Sequence, residues 1–393
     1  MPLDFLSVKQ QIHLIAAKAP QEARRIAKLR AEAQDLLADN AEKGAELRAK
    51  VELAAQADSW LRSAKPAGEA LASAHPLPKA PALTTLIAAD GSQINPSRHE
   101  AVNYFLINVG AITMLTGSGQ APSQRTDSQL HFAEYSPSGT YSDDQVNLER
   151  DKGERVLLAE LAAAAKVQPV ITLTDGPLEL WGGRSRDPEE QQSYIKSLEE
   201  YIVALEALHR SGAATAGYVD KPRADLMVRA LEVAATPQDK LGDIRKARPL
   251  RGVTDYDLFA GLLNPGARSA IFELQSHLAA RYAGPLALHF FYLNVGTPGA
   301  PWLARVEIPS WVIASKELLN ALHSALIDQC RMLGGLSYPY VLHRAHEIAV
   351  VAREEKEEVT QMLLAELQAQ GVKVGRPSHK QAVKDLPGRV RSR

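Results

Sequence analysis

The chain has 393 residues, of which 45% are hydrophobic and 23% charged, so it can bury a substantial core in two or three domains or in one large domain with added helices. Its 45 Lys and Arg residues are balanced by 46 Asp and Glu residues. No global positive field therefore indicates nucleic-acid binding, which would need local basic patches. Cys330 is the only cysteine, which excludes a disulfide framework and a zinc site built from several thiolates.

The same features predict where the protein works. A chain with a single cysteine suits a reducing compartment. No run approaches 18 uncharged apolar residues, and the first residues lack the basic stretch and apolar core of a secretory signal. We therefore expect a cytoplasmic protein that does not enter a membrane.

Helices dominate the predicted N-terminal part, residues 1–75. Residues 7–75 are rich in Ala, Gln, Glu, Arg and Leu, with almost no Gly or Pro before Pro66, a composition that favours long helices. We expect a helical arm that either mediates dimerisation or packs as a cap on its own domain. A Pro-rich linker over residues 76–81 separates this arm from the rest of the chain.

Strands and helices alternate in the second predicted domain, residues 76–372. Apolar runs over 83–89 and 170–174 end in Asp90-Gly91 and Asp175-Gly176, which is typical of buried strands that run into turns. The patterns predict further strands near 102–115, 130–135, 216–219, 271–274, 286–293 and 302–308, and helices near 145–166, 189–211, 315–332 and 338–370. This mixture predicts an α/β fold with a helical insertion at about 182–260. Residues 373–393 are predicted to form a basic, partly disordered tail.

The two strand-ending aspartates are the first candidates for chemistry. Because a sheet fixes a carboxylate at the end of a buried strand, two adjacent strands can bring Asp90 and Asp175 to one edge. Mg²⁺ and Mn²⁺ prefer oxygen ligands, and their charge offsets the repulsion between carboxylates. The alternative is that Asp-Gly is simply a favourable turn pair.

Glu154 is the second candidate. It shares one stripe of its predicted helix with Arg150 and Leu157, whereas Glu160 lies to one side. A carboxylate on a buried face is costly unless it is paired or bound to a metal, which favours Glu154 as a third ligand. The alternative is an ordinary i, i+4 ion pair with Arg150.

His346 is the third candidate. If a helix begins near Pro339, His346 stands beside Leu342 and Ala349 on the apolar side. An inward imidazole could bind a metal or transfer a proton near neutral pH. The alternative is a core histidine that is simply hydrogen-bonded.

Several short motifs resemble, in order, those of NurA-type nucleases. The residues that carry the resemblance are Ala89-Asp90-Gly91-Ser92, the helix from Arg150 to Glu154, Thr174-Asp175-Gly176-Pro177-Leu178, and Tyr338-Pro339 followed by Ala345-His346-Glu347. Residues 217–222, 267–272, 289–293 and 305–309 resemble the bacterial branch of the family. The motifs run from about residue 83 to about residue 384, and together they are far more specific than any one alone.

The resemblance implies an α/β fold with an RNase H-like (PIWI-like) mixed-sheet core, added helices and the N-terminal arm. It implies a metal-dependent deoxyribonuclease, acting as exonuclease and single-strand endonuclease with one or two Mn²⁺ or Mg²⁺ ions. It also implies a homodimer that works with a HerA-type hexameric ATPase in DNA end resection and recombinational repair. Asp90, Glu154, Asp175 and His346 fall where the family keeps metal-binding catalytic residues, and Tyr338 is a further catalytic candidate. Glu160 is the alternative to Glu154.

DNA contacts are expected from local basic side chains, which bind phosphates, and from an aromatic ring that can stack on an unpaired base. The candidates are Lys246, Arg248, Arg251, Lys380, Lys384 and Trp181. A solvated surface is the alternative for each charge. Two other functions stay open: a non-cleaving adaptor that binds DNA and the ATPase through a degenerate site, and another RNase H-like enzyme, such as an RNA-cleaving nuclease or a resolvase.

Overall fold

A computed structural model describes residues 3–97, 101–132, 141–182 and 187–372, and the chain divides into two compact units. The first unit consists of Met1–Lys79, Gly217–Lys316 and His323–Ser337, and the second of Ala80–Ala216, Glu317–Leu322 and Tyr338–Arg393. The predicted basic tail, residues 373–393, lies outside the described residues.

The elements are numbered along the chain. The helices are α1 (Phe5–Asp39), α2 (Gly44–Ala57), α3 (Asp143–Ala164), α4 (Pro188–Arg210), α5 (Leu226–Ala235), α6 (Asp255–Phe259), α7 (Ser310–Ala314), α8 (Lys316–Met332), α9 (Tyr340–Ala349) and α10 (Arg353–Ala369). The strands are β1 (Ser63–Pro66), β2 (Ala74–His75), β3 (Thr84–Ile94), β4 (Tyr104–Thr116), β5 (Ser123–Phe132), β6 (Val170–Asp175), β7 (Ala214–Val219), β8 (Arg268–Ser269), β9 (Phe272–Gln275), β10 (Leu288–Asn294) and β11 (Leu303–Pro309).

A mixed sheet forms the centre of the second unit. Strands β3, β4 and β5 are antiparallel neighbours, and Asp90 on β3 stands opposite Gly110 on β4. Strand β6 lies on the other side of β3 and runs parallel to it, with Ala89 opposite Thr174. These segments form strands because they bury apolar side chains such as Leu86 and Ile87 completely. The predicted α/β class with a mixed-sheet core is confirmed.

Helix α3 packs on this sheet and carries Glu154. It begins with a capping box in which the Ser142 side chain accepts from the Gln145 N–H and the Gln145 side chain accepts from the Ser142 N–H. Its buried face includes Leu157 and Leu158, and Glu154 lies among the buried residues of the helix. The stripe predicted from the sequence is therefore the face that α3 turns toward the core.

An antiparallel sheet forms the centre of the first unit. Its strands follow the order β1, β9, β10, β11 and then residues 217–219 of β7. Phe259, Phe272, Phe290 and Tyr292 pack against one another with ring centroids 5.1–6.0 Å apart, and all four are fully buried. Large aromatic side chains of this kind contribute most of the apolar area of a core.

Helices α1 and α2 cover most of residues 5–57 of the predicted arm, whereas strands β1 and β2 lie in its last part, before residue 76. Only the C-terminal part of α1 is buried, at Ala33 and Leu37. Large apolar side chains near its N-terminal end, including Phe5, Leu6 and Ile12, are exposed. A role for this arm in dimerisation stays a prediction.

The single long helix predicted over residues 338–370 is wrong. Helix α9 ends at Ala349 and α10 begins at Arg353, because side chains of the sheet bind the last carbonyl group of α9, as described below. The stretch predicted as a helical insertion contains α4 and α5 and also strand β7. Among the helices in the described ranges, none is long and apolar enough to cross a bilayer.

Candidate active site

A cavity of about 420 Å³ opens in the second unit. Side chains from β3, α3, α9 and the loop after β6 line it. Four of the residues predicted from the sequence share this space, namely Asp90, Glu154, Asp175 and His346, and Trp181 stands in its wall. Residues that are far apart in the chain therefore meet in one place.

Asp90 and Asp175 stand on adjacent strands. The parallel register places Ala89 opposite Thr174, so the aspartates that follow them come to the same level of the sheet. Strand β6 ends at Asp175, as predicted. Gly176 then takes a left-handed backbone with φ at 89°, which turns the chain away from the sheet.

The prediction that β3 ends at Asp90-Gly91 is wrong. The strand continues to Ile94, and Gly91 stands opposite Val109 on β4. Asp90 is therefore held inside an extended strand rather than at a turn. The glycine after it serves a different purpose, because the Arg150 and Glu154 side chains of α3 lie close to it.

His346 reaches Asp90 from α9. Its Nδ1 lies 2.7 Å from Oδ2 of Asp90, and the other carboxylate oxygen, Oδ1, accepts from the N–H of Gly91 at 2.9 Å. When Nδ1 carries the hydrogen, it donates to the carboxylate and leaves Nε2 free to accept or release a proton. The His346 side chain is 64% exposed, so the prediction that it points to the apolar side of its helix is wrong.

Glu154 is a buried carboxylate, with only 7% of the residue exposed. Burial raises the pKa of its carboxyl well above the usual range, and the negative charges of Asp151 and Asp90 raise it further. Arg155 and Arg150 act in the opposite direction. This carboxyl therefore carries a cost that a bound cation would relieve.

The alternative predicted for Glu154, an i, i+4 ion pair with Arg150, is present in the structure, but it is long. Nε of Arg150 is 3.8 Å from the Glu154 carboxylate, while its Nη2 is 2.8 Å from Asp151 and its Nη1 donates to Gln93 at 3.0 Å. Glu160, the alternative third carboxylate, is exposed and pairs with Arg125 at 2.8 Å. Of the two glutamates, Glu154 is the one that lines the cavity.

Two tyrosines of α4 hold the loop that forms one wall of the cavity. The hydroxyl of Tyr201 donates to the carbonyl of Leu178 at 2.8 Å, and that of Tyr194 donates to the carbonyl of Leu180 at 3.1 Å. Tyr201 also accepts from Nε of the buried Arg155 at 2.8 Å. Trp181, which is 45% exposed, follows directly and is thus presented by a fixed backbone.

Comparison with known proteins decides the family. Residues 84–351, more than half of the chain, match the family model described as the NurA domain. The chain belongs to the NurA domain family. The predicted resemblance is therefore confirmed at the level of the family, and the matched segment contains all of the cavity residues named above. Among proteins with curated descriptions, none matches this chain.

Solved structures of NurA are also similar to this NurA-domain chain. The NurA nuclease from Sulfolobus solfataricus has 12% identity and a TM-score of 0.48, over 76% of this chain and 88% of that one. A NurA bound to dAMP and manganese has 12% identity and a TM-score of 0.37, over 88% and 97%. The catalytic domain of human Endonuclease V has 12% identity and a TM-score of 0.32, over 81% and 97%.

The donor atoms of the NurA-domain cavity fit Mn²⁺ or Mg²⁺ in their chemistry. Asp90, Glu154 and Asp175 offer carboxylate oxygens to one space, and both ions prefer such ligands. Within the described ranges, no three His, Cys, Asp or Glu side chains form a ready-made group of metal ligands. The cavity thus brings together carboxylates that could bind a divalent cation.

The remaining predicted residues lie elsewhere. Tyr338 is half-buried just before α9 and is not one of the cavity-lining residues. Lys246 and Arg251, in the first unit, are exposed, whereas Arg248 pairs with Asp225 and contacts Glu232. Lys380 and Lys384 lie outside the described residues.

The cavity also contains charged residues that the sequence did not single out. They are Asp151, Arg155 and Glu179. Asp151 and Arg155 each follow a residue of the α3 stripe in the sequence. The helical spacing identified the stripe that faces the core, but it gave no reason to expect that residues beside the stripe also line the cavity. Glu179 lies four residues after Asp175 in a loop, and a loop has no sequence periodicity that predicts where a side chain points.

Proposed function

We propose that this chain is a metal-dependent deoxyribonuclease, which hydrolyses phosphodiester bonds in DNA as an exonuclease and single-strand endonuclease. The observation that carries the proposal is the shared cavity of Asp90, Glu154, Asp175 and His346 within the segment that matches the NurA domain. Manganese, present with dAMP in a solved NurA, is the proposed cofactor, with Mg²⁺ as the alternative.

Asp90, Glu154 and Asp175 would hold one or two divalent ions, which polarise the scissile phosphate and lower the pKa of water when bound. Asp90 and Asp175 supply ligands from two neighbouring strands, so their backbone positions are fixed. Glu154 supplies a third carboxylate from α3. Without a cation these groups repel both one another and the phosphates of DNA.

His346 is the proposed proton carrier. Asp90 orients the ring through Nδ1 at 2.7 Å, and Nε2 exchanges the proton with the attacking water or the leaving oxygen. The exposed position of the ring suits this exchange, because bulk water can restore its protonation state. Tyr338 is proposed to contribute to catalysis less directly, since it lies just before the helix that carries His346.

DNA would reach the cavity past Trp181, whose half-exposed ring can stack on an unpaired base. Lys246 and Arg251 are proposed phosphate contacts at the surface, where Lys246 also pairs with Asp243 at 3.4 Å. Lys380 and Lys384 are proposed from the sequence. Arg248 is the weakest of the basic candidates, because two carboxylates neutralise it.

The proposed setting follows from the family. We infer that the chain forms a homodimer in the cytoplasm and acts with a HerA-type hexameric ATPase in DNA end resection and recombinational repair. The exposed apolar side chains of α1 support a protein contact of this kind.

The test is cleavage of labelled single-stranded DNA, double-stranded DNA and RNA, with Mn²⁺ or EDTA and with or without the ATPase. The proposal expects Mn²⁺-dependent DNA cleavage that Asp90→Asn and Asp175→Asn abolish while circular dichroism stays unchanged. DNA binding without cleavage would favour a non-cleaving adaptor, and cleavage of RNA alone would favour a different RNase H-like enzyme. Full activity in both variants would reject the assigned site.

A further inference from the structure

Three polar side chains form one row across the antiparallel strands of the second unit. Ser92 on β3 stands opposite Asn108 on β4, and Asn108 stands opposite Ser128 on β5. Residues that face each other in this way project from the same face of a sheet. Ser128 donates from Oγ to Oδ1 of Asn108 at 2.6 Å, so the row is continuous. Asn108 is 7% exposed, and a buried amide needs partners for its donors as well.

The row binds the C-terminal end of α9. Nδ2 of Asn108 donates to the carbonyl oxygen of Ala349 at 2.7 Å, and Oγ of Ser92 donates to the same oxygen at 2.5 Å. Oγ of Ser92 also accepts from the N–H of Val351 at 3.2 Å. The last carbonyl groups of a helix have no partner within the helix. Two side chains of the sheet supply the missing donors here and hold the helix end in place.

A second row of residues lies next to the first and contacts the backbone of α9. Residues two apart in a strand share a face, so Asp90 lies beside Ser92, and Gly110 lies beside Asn108. A β-carbon on Gly110 would stand 2.5 Å from the nitrogen of Ala349 and 2.8 Å from the carbonyl carbon of Ile348. The backbone of α9 therefore rests directly on the glycine.

These contacts determine where His346 lies. It precedes Ala349 by three residues, less than one helical turn, so fixing the backbone at Ala349 also fixes the turn that carries His346. With the helix end held by the polar row and seated on Gly110, Nδ1 of His346 comes to 2.7 Å from Oδ2 of Asp90. We propose that Asn108 and Ser92 are positioning residues, which set the imidazole of His346 against the carboxylate of Asp90.

The proposal rests on the proposed nuclease function only for its activity measurement. Asn108→Asp keeps the size of the side chain and the acceptor for Ser128 but removes the donor to Ala349. Ser92→Ala removes the second donor, and Ser92→Thr restores it. Thr85→Val is the matched control, because Thr85 is a buried hydroxyl on β3 that donates to the carbonyl of Val167 at 2.7 Å.

Two measurements are made on the full chain. The first is kcat and KM for Mn²⁺-dependent cleavage of single-stranded DNA. The second is the ¹⁵N chemical shift of the His346 ring nitrogens at one fixed pH, assigned by their loss in His346→Gln. These shifts report whether Nδ1 is hydrogen-bonded, which a loss of stability elsewhere would not change.

We expect Asn108→Asp and Ser92→Ala to lower kcat at least about tenfold, because small displacements of reacting groups are costly, with KM within about twofold. The His346 nitrogen signals should move toward those of a free imidazole in both variants. Ser92→Thr and Thr85→Val should leave kcat and the signals unchanged. Unchanged His346 signals in Ser92→Ala would overturn the proposal, even if Asn108→Asp fails to fold. If the wild-type chain cleaves no DNA, the proposed function fails, while the nitrogen signals still decide the positioning.

Discussion

Gly91 lies directly beneath the carboxylate of Glu154. A β-carbon added to Gly91 would stand 3.0 Å from Oε1 of Glu154 and 2.4 Å from Cγ of Arg150. Real β-carbons do not approach other atoms to 2.4 Å, so the Arg150 side chain of α3 can pack against β3 in this position only because residue 91 has no side chain. The position of the third carboxylate therefore depends on a glycine in the neighbouring strand.

Gly91→Ala should displace α3 and move Glu154 away from Asp90. We expect Mn²⁺-dependent cleavage to fall at least about tenfold, because the carboxylates would no longer share one cation. Gly242→Ala is the control, since a β-carbon there meets nothing within 4 Å. The comparison is made by cleavage rates and by Mn²⁺ binding measured by electron paramagnetic resonance. Equal rates in the two variants would show that close packing at Gly91 is irrelevant to the site.

Tyr201→Phe should loosen the loop that carries Trp181. The variant leaves the carbonyl of Leu178 and Nε of Arg155 without the partner that joins them now. Removing the acceptor of the buried Arg155 Nε–H costs roughly 1–3 kcal/mol, so urea denaturation should show a loss of stability in this range together with slower cleavage.

Tyr104→Phe provides the matched control for Tyr201→Phe. Tyr104 is equally buried, and its hydroxyl bonds Thr360 at 2.8 Å on α10, outside the cavity lining. Stability should fall by a similar amount while cleavage stays at the wild-type rate. A similar loss of cleavage in both variants would refute a specific role for the Tyr201 contact.

His323 should make the stability of the chain fall in acid. Burial lowers the pKa of this imidazole from 6.5 to about 4, and its Nε2 lies 2.8 Å from the carbonyl oxygen of Gly266. Between these two pKa values the unfolded chain binds more protons than the folded chain. The contribution of His323 to the free energy of unfolding is complete above pH 6.5 and falls by roughly 2–3 kcal/mol at pH 4.5.

Comparison with His323→Gln isolates this effect from other titrating groups. Asp255, whose pKa burial raises from 3.8 to about 6, acts in the opposite direction below pH 6, because its folded form binds the extra proton. Urea denaturation at pH 7.5 and pH 4.5 should show that lowering the pH costs the wild type more stability than the variant, by roughly 2–3 kcal/mol. An identical pH response in both proteins would contradict the assigned pKa.

Local patterns predicted much of the fold and three of the carboxylate positions. The end of β6 at Asp175 follows from a buried apolar run that meets a glycine. The choice of Glu154 over Glu160 follows from helical spacing, because the stripe with Leu157 is the buried face of α3. Such features are determined by residues close together in the sequence, so local sequence patterns can predict them.

Contacts between distant segments account for the predictions that were wrong. The break between α9 and α10 depends on Ser92 and Asn108, which bind Ala349 from across the chain. The continuation of β3 past Asp90 depends on its pairing with β4, where Gly91 serves the approach of α3 rather than a turn. His346 is exposed because its partner is a carboxylate at the cavity and not the core. None of these arrangements has a periodic signature.

The most direct test of the account compares Glu154→Gln with Glu160→Gln in Mn²⁺-dependent cleavage of single-stranded DNA. Both changes replace a carboxyl group of α3 by an amide, but Glu154 lines the cavity and Glu160 pairs with Arg125 at the surface. We predict that Glu154→Gln loses cleavage by about a hundredfold or more, while Glu160→Gln keeps the wild-type rate. Wild-type cleavage by Glu154→Gln, or an equal loss in both variants, would contradict a cation site built on Asp90, Glu154 and Asp175.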